Sequence, residues 1–292
     1  MLHRVHWGIK IKNKNRLLDN ENVTDIFLFL RSLKSYAKQF NTKNIYITWD
    51  KRLDRNTINF RHKLTTNNYK AQRNKKLTKE VYEHEEDLLL VLKSLGVKNM
   101  YPQILEADDI ISWLCKKLEG TNVIVTTDND LLQLITEKTI LFNPSKKILI
   151  DENNFEKIIG IKSKYFLVYK AILGDVSDNI SGIKGYGKVR AKKLAKRYID
   201  KTCDKLPKEY LHIIQKNIKL MDLSQGYIQA NEEPMYQLQF NKLTSIKPDL
   251  DKFKEYCEKF NFNTFLKNFD QWEGVFKESR LFSIINSLAT NK

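Results

Sequence analysis

From Thr24 the apolar residues Ile26, Leu30, Leu33, Ala37 and Phe40 step by four and three, which predicts an amphipathic helix with one face against a core. Residues 44–49, NIYITW, predict a strand that Asp50 terminates. A helix resumes near Leu77 and runs to Leu95, with Gly96 as its stop. Ile110, Trp113, Leu114 and Leu118 then recur at helical spacing ahead of Gly120. Residues 122–127 are apolar and β-branched, the pattern of a strand buried on both faces. Residues 139–142 and 147–150 flank a turn at 143–146 and predict a hairpin at the sheet margin. Beyond it the pattern is helical: 163–173, then a helix with Ala191, Leu194, Ala195 and Tyr198 on one face. Later stripes are Leu211, Ile214 and Ile218, and Phe253, Cys257 and Phe260. Such stripes are core far more often than sites. Strands alternating with helices and followed by helices predict an α/β fold.

One segment breaks this patterning. Residues 51–79 hold ten Lys or Arg, one acid (Asp54) and little apolar periodicity. Arg61, Tyr69, Lys70 and Arg73 interleave an aromatic with cations, which suits base stacking beside phosphate contacts; the plainer reading is a solvated charged loop. The whole chain points the same way. Its 292 residues carry 51 Lys+Arg against 35 Asp+Glu, a net charge of +16, which favours a polyanionic partner. No run approaches the ~18 apolar residues of a membrane span, and the first residues lack the apolar stretch of a signal peptide, so a cytoplasmic protein with no membrane partner is expected. Cys115, Cys203 and Cys257 are odd in number and far apart, which predicts neither a disulfide framework nor a zinc site.

Within this basic chain the acids are placed unusually. Glu106, Asp108 and Asp109 open the helix that ends before Gly120, and Asp128 and Asp130 follow the strand at 122–127. Acids in a first helical turn are often caps, and acids after a strand are often turn formers. The reactive edge of an open α/β sheet nevertheless lies at the carboxyl ends of its strands, and if the strands at 44–49 and 122–127 are parallel neighbours, Asp50 and Asp128 emerge at one edge. Asp175 and Asp178 add a further pair three residues apart. Eight carboxylates packed without cations would repel, and some would take up protons. Bound Mg²⁺ or Mn²⁺ resolves this, and two such ions about 4 Å apart activate a water and stabilise a phosphodiester's leaving oxygen. Next, Gly182, Gly185 and Gly187 lead into a helix rich in Lys188, Lys192, Lys193, Lys196 and Arg197, with Lys184 in the loop. A glycine hairpin at a helix start presents backbone N–H groups to a phosphate. It is not a P-loop, since Val189 stands where Ser or Thr is required, and it lacks the third glycine of a dinucleotide fingerprint, since Arg190 is there.

Glu106-Ala107-Asp108-Asp109, Thr127-Asp128-Asn129-Asp130 and the stretch 170–187, KAILGDVSDNISGIKGYG, together resemble the 5′-nuclease (flap endonuclease) family, especially the phage enzymes and the 5′–3′ exonuclease domain of bacterial DNA polymerase I. The resemblance implies a mainly parallel central sheet flanked by helices. It implies a nuclease core at 1–160 with a basic helical arch at 51–80, and a helical region at 161–292 containing a helix-hairpin-helix at 164–198. Asp50, Glu106, Asp108 and Asp109 would hold a first Mg²⁺, and Asp128, Asp130, Asp175 and Asp178 a second, with Mn²⁺ as a substitute. Lys70 and Arg73 would contact the scissile phosphate, with Arg4 the counterpart of a further family arginine. The stretch 182–198 would grip duplex DNA and bind K⁺. The implied substrates are 5′ flaps and single-strand/duplex junctions in DNA, with RNA primers in RNA–DNA hybrids as a further class, cut by a monomer in the cytoplasm of a phage-infected host.

The family pattern also includes a first strand ending in a metal-binding Asp seven residues before the arginine that Arg4 matches, which places that Asp ahead of Met1. A structure-selective DNA-binding protein with impaired chemistry is therefore the alternative. Eight retained carboxylates favour the enzyme, since they would only repel DNA in a binder. A PIN-like ribonuclease shares the acidic α/β site but predicts neither the basic arch nor the glycine hairpin.

Overall fold

A computed structural model describes residues 24–49, 61, 85–102, 104–202 and 206–277. In chain order the elements are α1 (Thr24–Gln39), β1 (Tyr46–Thr48), α2 (Glu85–Ser94), β2 (Lys98–Met100), α3 (Ala107–Lys117) and β3 (Asn122–Val125). A short 3-10 helix (Asp130–Leu134), β4 (Thr139–Asn143), β5 (Ile148–Ile150), α4 (Glu152–Ile159) and α5 (Ser163–Leu173) follow. Then come β6 (Gly174–Asp175), β7 (Ile180–Ser181), α6 (Lys188–Ile199), α7 (Lys208–Met221), α8 (Leu223–Glu232), α9 (Pro234–Thr244), α10 (Leu250–Lys259), α11 (Asn263–Lys267) and α12 (Asp270–Phe276). Among the described residues no helix is long and apolar enough to cross a membrane.

The chain separates into two compact units. One takes the described residues up to 47, 85–100 and 238–277; the other takes 48–49, Arg61 and those from 101 to 237. In the first, α10 packs on α2 and α12 on α1. Its centre is aromatic: Phe27 stacks on Phe265 at 4.3 Å and meets Phe262 edge-on, while Trp272, wholly buried, lies 4.6 Å from Phe265 and 4.9 Å from Phe253. Gly96 has φ +72°, and a Cβ there would stand 3.0 Å from Pro248 N, so both the turn and the close approach require glycine.

In the second unit one core runs from Ile124 through Leu141, Phe155, Phe166 and Ile172 to Leu194, Ile214 and Leu223. The boundary expected near residue 160 passes through this core, because Ile124, Leu141 and Phe155 before it share the core with Phe166, Ile172 and Leu194 after it, and α4 and the 3-10 helix both pack on α5. The strands form three small sheets among the described residues: β1 with β2, β3-β4-β5, and β6 with β7. β3 and β4 are parallel, and β4 and β5 form the expected antiparallel hairpin with Leu141 opposite Ile150. Among the described residues β1 and β3 lie in different sheets, so the condition that they be parallel neighbours is not met there. The expectation that β3 is buried on both faces is corrected: only Ile124 along it is buried, and among the described residues β3 is the edge of its sheet.

Candidate active site

The acidic cleft belongs to the second unit and is assembled from element ends. α3 begins at Ala107, with Glu106 as N-cap. β3 ends at Val125 and is followed by a turn in which Thr126 Oγ1 accepts from Asp128 N (3.0 Å) and Asp128 Oδ1 accepts from Asp130 N (2.8 Å). Asp128 therefore forms its turn, as the plain reading has it, and also lines the cleft. α5 delivers Gly174-Asp175, which pairs antiparallel with Ile180-Ser181, and Asn179 closes the turn at φ +60°. The hairpin passes so close to the end of α5 that a Cβ on Gly182 would stand 2.2 Å from the Leu173 carbonyl oxygen. Asn217, buried on α7, donates to the carbonyls of Ala171 (2.8 Å) and Ser181 (2.9 Å) and ties the hairpin down.

The resulting cavity of about 350 Å³ is walled by Glu106, Asp108, Asp128, Asp130, Asp175 and Asp178, against the cations Lys170 and Arg61. Lys170 Nζ lies 2.8 Å from Asp130 Oδ1 and 2.9 Å from Asp175 Oδ2. Burial alone would lower the Lys170 pKa, but hydrogen bonds and charge from these two carboxylates raise it. Asp130 is pushed up, chiefly by burial, against the pull of Lys170. Burial also acts to raise Asp175, yet hydrogen bonds from Ser177 (N 2.8 Å, Oγ 2.6 Å) and Lys170 outweigh it and hold that carboxyl down.

Six carboxylates facing two cations fit divalent cations by charge and by donor chemistry. Among the described residues no three His, Cys, Asp or Glu side chains stand close enough together, as placed, to hold a metal ion.

Two expected site residues have other roles. Arg61, expected to touch nucleic acid, is 1% exposed. Its NH1 and NH2 donate to Asp109 Oδ2 (2.7 Å) and Oδ1 (2.6 Å), and its Nε donates to the Leu220 carbonyl (2.8 Å). A guanidinium spent on a buried carboxylate has no fork left for phosphate. Asp109, expected among the metal ligands, is fully buried; besides Arg61 its Oδ2 accepts from Glu106 N (3.0 Å). It caps α3 and sets the position of Glu106, whose Oε2 lies 3.6 Å from Arg61 NH1. α8 comes so near that a Cβ on Gly226 would stand 2.2 Å from Asp109 Oδ1.

The glycine-rich stretch divides in the same way. Gly185, at φ +81°, and Gly187 are exposed, and a Cβ on either would meet nothing within 4 Å. Gly187 is the N-cap of α6 and supplies no side-chain cap. Lys184, Lys188 and Lys193 are exposed. Gly182 is glycine for packing, and Lys192, expected on DNA, donates instead to the Ile159 carbonyl at the end of α4 and lies over the Tyr169 ring. Arg4, Asp50, Tyr69, Lys70 and Arg73 lie outside the described residues. Lys170, Gln133 and Asn217 had not been assigned roles. Only Lys170 carried a sequence signal, as the cation five residues before Asp175.

Residues 1–160 match the family model of the 5′-3′ exonuclease N-terminal resolvase-like domain. A 5′-3′ exonuclease of Buchnera aphidicola (subsp. Schizaphis graminum) is 36% identical over 179 residues, covering 59% of this chain and 60% of that protein, less than two thirds of its length. One from Mycoplasmopsis pulmonis is 28% identical over 284 residues, covering 93% of this chain and 91% of that protein. The fold is similar to that of the bacteriophage T5 protein co-crystallised with metal ions, with a TM-score of 0.67 at 19% identity over 84% of this chain and 97% of that one. It is also similar to the T5 flap endonuclease in complex with DNA and metal ions, with a TM-score of 0.64 at 20% identity over 82% and 95%.

Proposed function

The chain belongs to the 5′-3′ exonuclease family, and on that premise we propose that it hydrolyses DNA phosphodiesters beside single-strand/duplex junctions, using divalent cations held in the acidic cleft. The observation that carries this reading is the meeting of six carboxylates from α3, the turn after β3 and the β6–β7 hairpin in one cavity of a chain with net charge +16. Glu106 and Asp108, with Asp50, hold one Mg²⁺; Asp128, Asp130, Asp175 and Asp178 hold the other, and Mn²⁺ can take either place. Bound there, the ions supply an activated water and a partner for the leaving oxygen. Lys170 orients Asp130 and Asp175, and Asp109 orients Glu106.

Arg4, Lys70 and Arg73 bring positive charge to the scissile phosphate, and Tyr69 stacks on a base. Residues 164–198 act as a helix-hairpin-helix: Gly185, Gly187 and the start of α6 offer N–H groups to the duplex backbone, Lys184, Lys188 and Lys193 add charge, and K⁺ binds at the hairpin. The exposed glycines and the N-terminus of α6 without a side-chain cap support this assignment. The substrates are 5′ flaps and, as a second class, RNA primers in RNA–DNA hybrids, cut by a monomer.

Cleavage of a 5′-labelled flap is measured with Mg²⁺ and with chelator, beside a binding assay. Cutting that requires Mg²⁺ is expected; binding with no cutting under either condition would sink the nuclease reading. Asp128→Asn should slow cleavage by about 100- to 1000-fold, the scale of losing one electrostatic stabiliser of a transition state. Junction binding should stay intact, and equal loss of both would remove Asp128 from the chemistry.

A further inference from the structure

The turn from α7 into α8 contributes no acid to the cleft wall, yet Leu220, Met221 and Leu223 line it and Asp222 caps α8 by accepting from Ser224 N (2.8 Å). This turn is tied from two sides. Arg61 Nε donates to the Leu220 carbonyl (2.8 Å) while the same guanidinium grips Asp109 and lies beside Glu106. Gln133, half-buried on the 3-10 helix, donates through Nε2 to the carbonyls of Met221 (3.0 Å) and Asp130 (3.0 Å), and its Oε1 accepts from Leu223 N (3.0 Å). The amide orientation is fixed by its neighbours, since the flipped form would set Oε1 against two carbonyl oxygens. A continuous chain of bonds therefore joins Glu106 and Asp109 through Arg61, residues 220–223 and Gln133 to Asp130.

We propose that the α7–α8 turn is a spacer that sets the distance between the two groups of acids, and that Gln133 and Arg61 are positioning residues acting through it. Two ions working together must lie about 4 Å apart. A displacement of about 1 Å can cost about 100-fold in rate, so neither group of acids can drift relative to the other. α3 packs along α8, and the α7–α8 turn opens α8, so bonds that fix this turn to the 3-10 helix also fix α3 relative to Asp130. The turn is gripped on both sides, by Gln133, which is not among the residues lining the cleft, and by Arg61, which lines it with its guanidinium committed to Asp109 and the Leu220 carbonyl.

The inference rests on the cleft acids being metal ligands, and the test separates the two ideas. Mn²⁺ binding to the full chain without DNA is followed by electron paramagnetic resonance, and kcat and KM for a flap are measured with Mg²⁺. Wild type should bind Mn²⁺. Gln133→Met should weaken that binding and lower kcat by about 10- to 100-fold, the usual cost of removing a partner that orients a ligand, with KM for DNA nearly unchanged. Arg61→Lys, which keeps the charge but loses the fork, should act in the same direction. In the double variant the losses should be less than multiplicative, because releasing either end already frees the turn. If Gln133→Met melts early, Gln133→Glu serves in its place, since it keeps an acceptor for Leu223 N but has no proton for the two carbonyls. Unchanged Mn²⁺ affinity and kcat in a folded Gln133 variant, or multiplicative losses in the double variant, would overturn the spacer. A wild type that binds no Mn²⁺ would overturn the metal reading and the spacer with it.

Discussion

Both compact units have apolar cores, but they differ in what else they bury. The first is held by ring packing: Trp272, Phe253, Phe265 and Phe27 meet at 4.3 to 4.9 Å, and the buried charged residue within it, among those described, is Lys98. The second buries Arg61 against Asp109 and uses the amide of Asn217 to bridge two backbone segments. Hydrophobic contact is nondirectional and tolerates sliding, whereas a bidentate ion pair tolerates little. The unit that carries the acids adds directional bonds to its apolar core, at a cost in desolvation that well-packed apolar residues would avoid.

That contrast can be broken most severely at Arg61. Arg61→Met leaves Asp109 buried without its partner and should cost about 3 to 5 kcal/mol of folding free energy. Adding Asp109→Leu should restore much of the stability, since an apolar pair of similar volume needs no solvation. Cleavage should not return, because Glu106 has lost both its cap and its neighbouring guanidinium. Denaturant unfolding beside a flap assay checks both halves, and recovery of cleavage in the double variant would show that the ion pair serves stability alone. The complementary change is Trp272→Ala in the first unit. It should cost about 3 to 5 kcal/mol as a buried aromatic replaced by a cavity, yet leave Mn²⁺ affinity per folded molecule as in wild type. A changed affinity would mean that the aromatic unit also shapes the metal centre.

Sequence patterning was informative wherever the determinant was local. α1, α3 and the β4–β5 hairpin follow from periodicities contained within each segment, and the cleft acids stand out because each sits at an element end. Arg61 was misread because its segment is basic, and nothing local shows that one cation in it has a carboxylate 48 residues away. The bond from Lys192 to the Ile159 carbonyl was hidden for the same reason. Gln133 and Asn217 carry no pattern at all, since a single amide becomes structural only when distant backbone groups arrive beside it. The division into units was hidden because residues 24–47 and 238–277 belong to one body despite their separation in sequence, and hydrophobic period says which face is buried but not against what.

Within the second unit, exposed and engaged lysines sharpen the contrast between contact and scaffold. Lys188→Ala with Lys193→Ala should weaken duplex binding and reduce the salt slope by about 1 to 2, one phosphate contact per lysine. Lys192→Ala should leave the slope unchanged, because its ammonium is held by the Ile159 carbonyl. Equal slope changes in the two variants would mean that Lys192 leaves that carbonyl to meet DNA.

The smallest effect distinguishes the units by sign. Lys98 in the first unit and Lys170 in the second are both largely buried lysines, but burial lowers the pKa of Lys98, whereas Asp130 and Asp175 raise that of Lys170 above 10.5. A lysine whose folded pKa is lowered holds fewer protons in the folded than in the unfolded chain between that pKa and 10.5, so its penalty is relieved as pH rises through the window. A lysine whose folded pKa is raised contributes stability that is fully present below 10.5 and is lost as pH climbs through the folded value. In chelator, so that no cation competes for the carboxylates, Lys170→Met should therefore remove part of the alkaline loss of stability seen in wild type. Lys98→Met should remove a gain and make the alkaline decline steeper. Its Nζ bonds to Asn44 Oδ1 (2.9 Å) and lies 5.2 Å from the Tyr46 ring centroid, so uncharged Met also loses those contacts and the slope with pH, not the absolute stability, is the quantity to compare. Melting curves between pH 8 and 11, about the range of lysine titration, decide it. Slopes that change in the same direction in both variants would show that the two lysines sit in electrostatically similar surroundings, and the contrast between the two units would not extend to their buried cations.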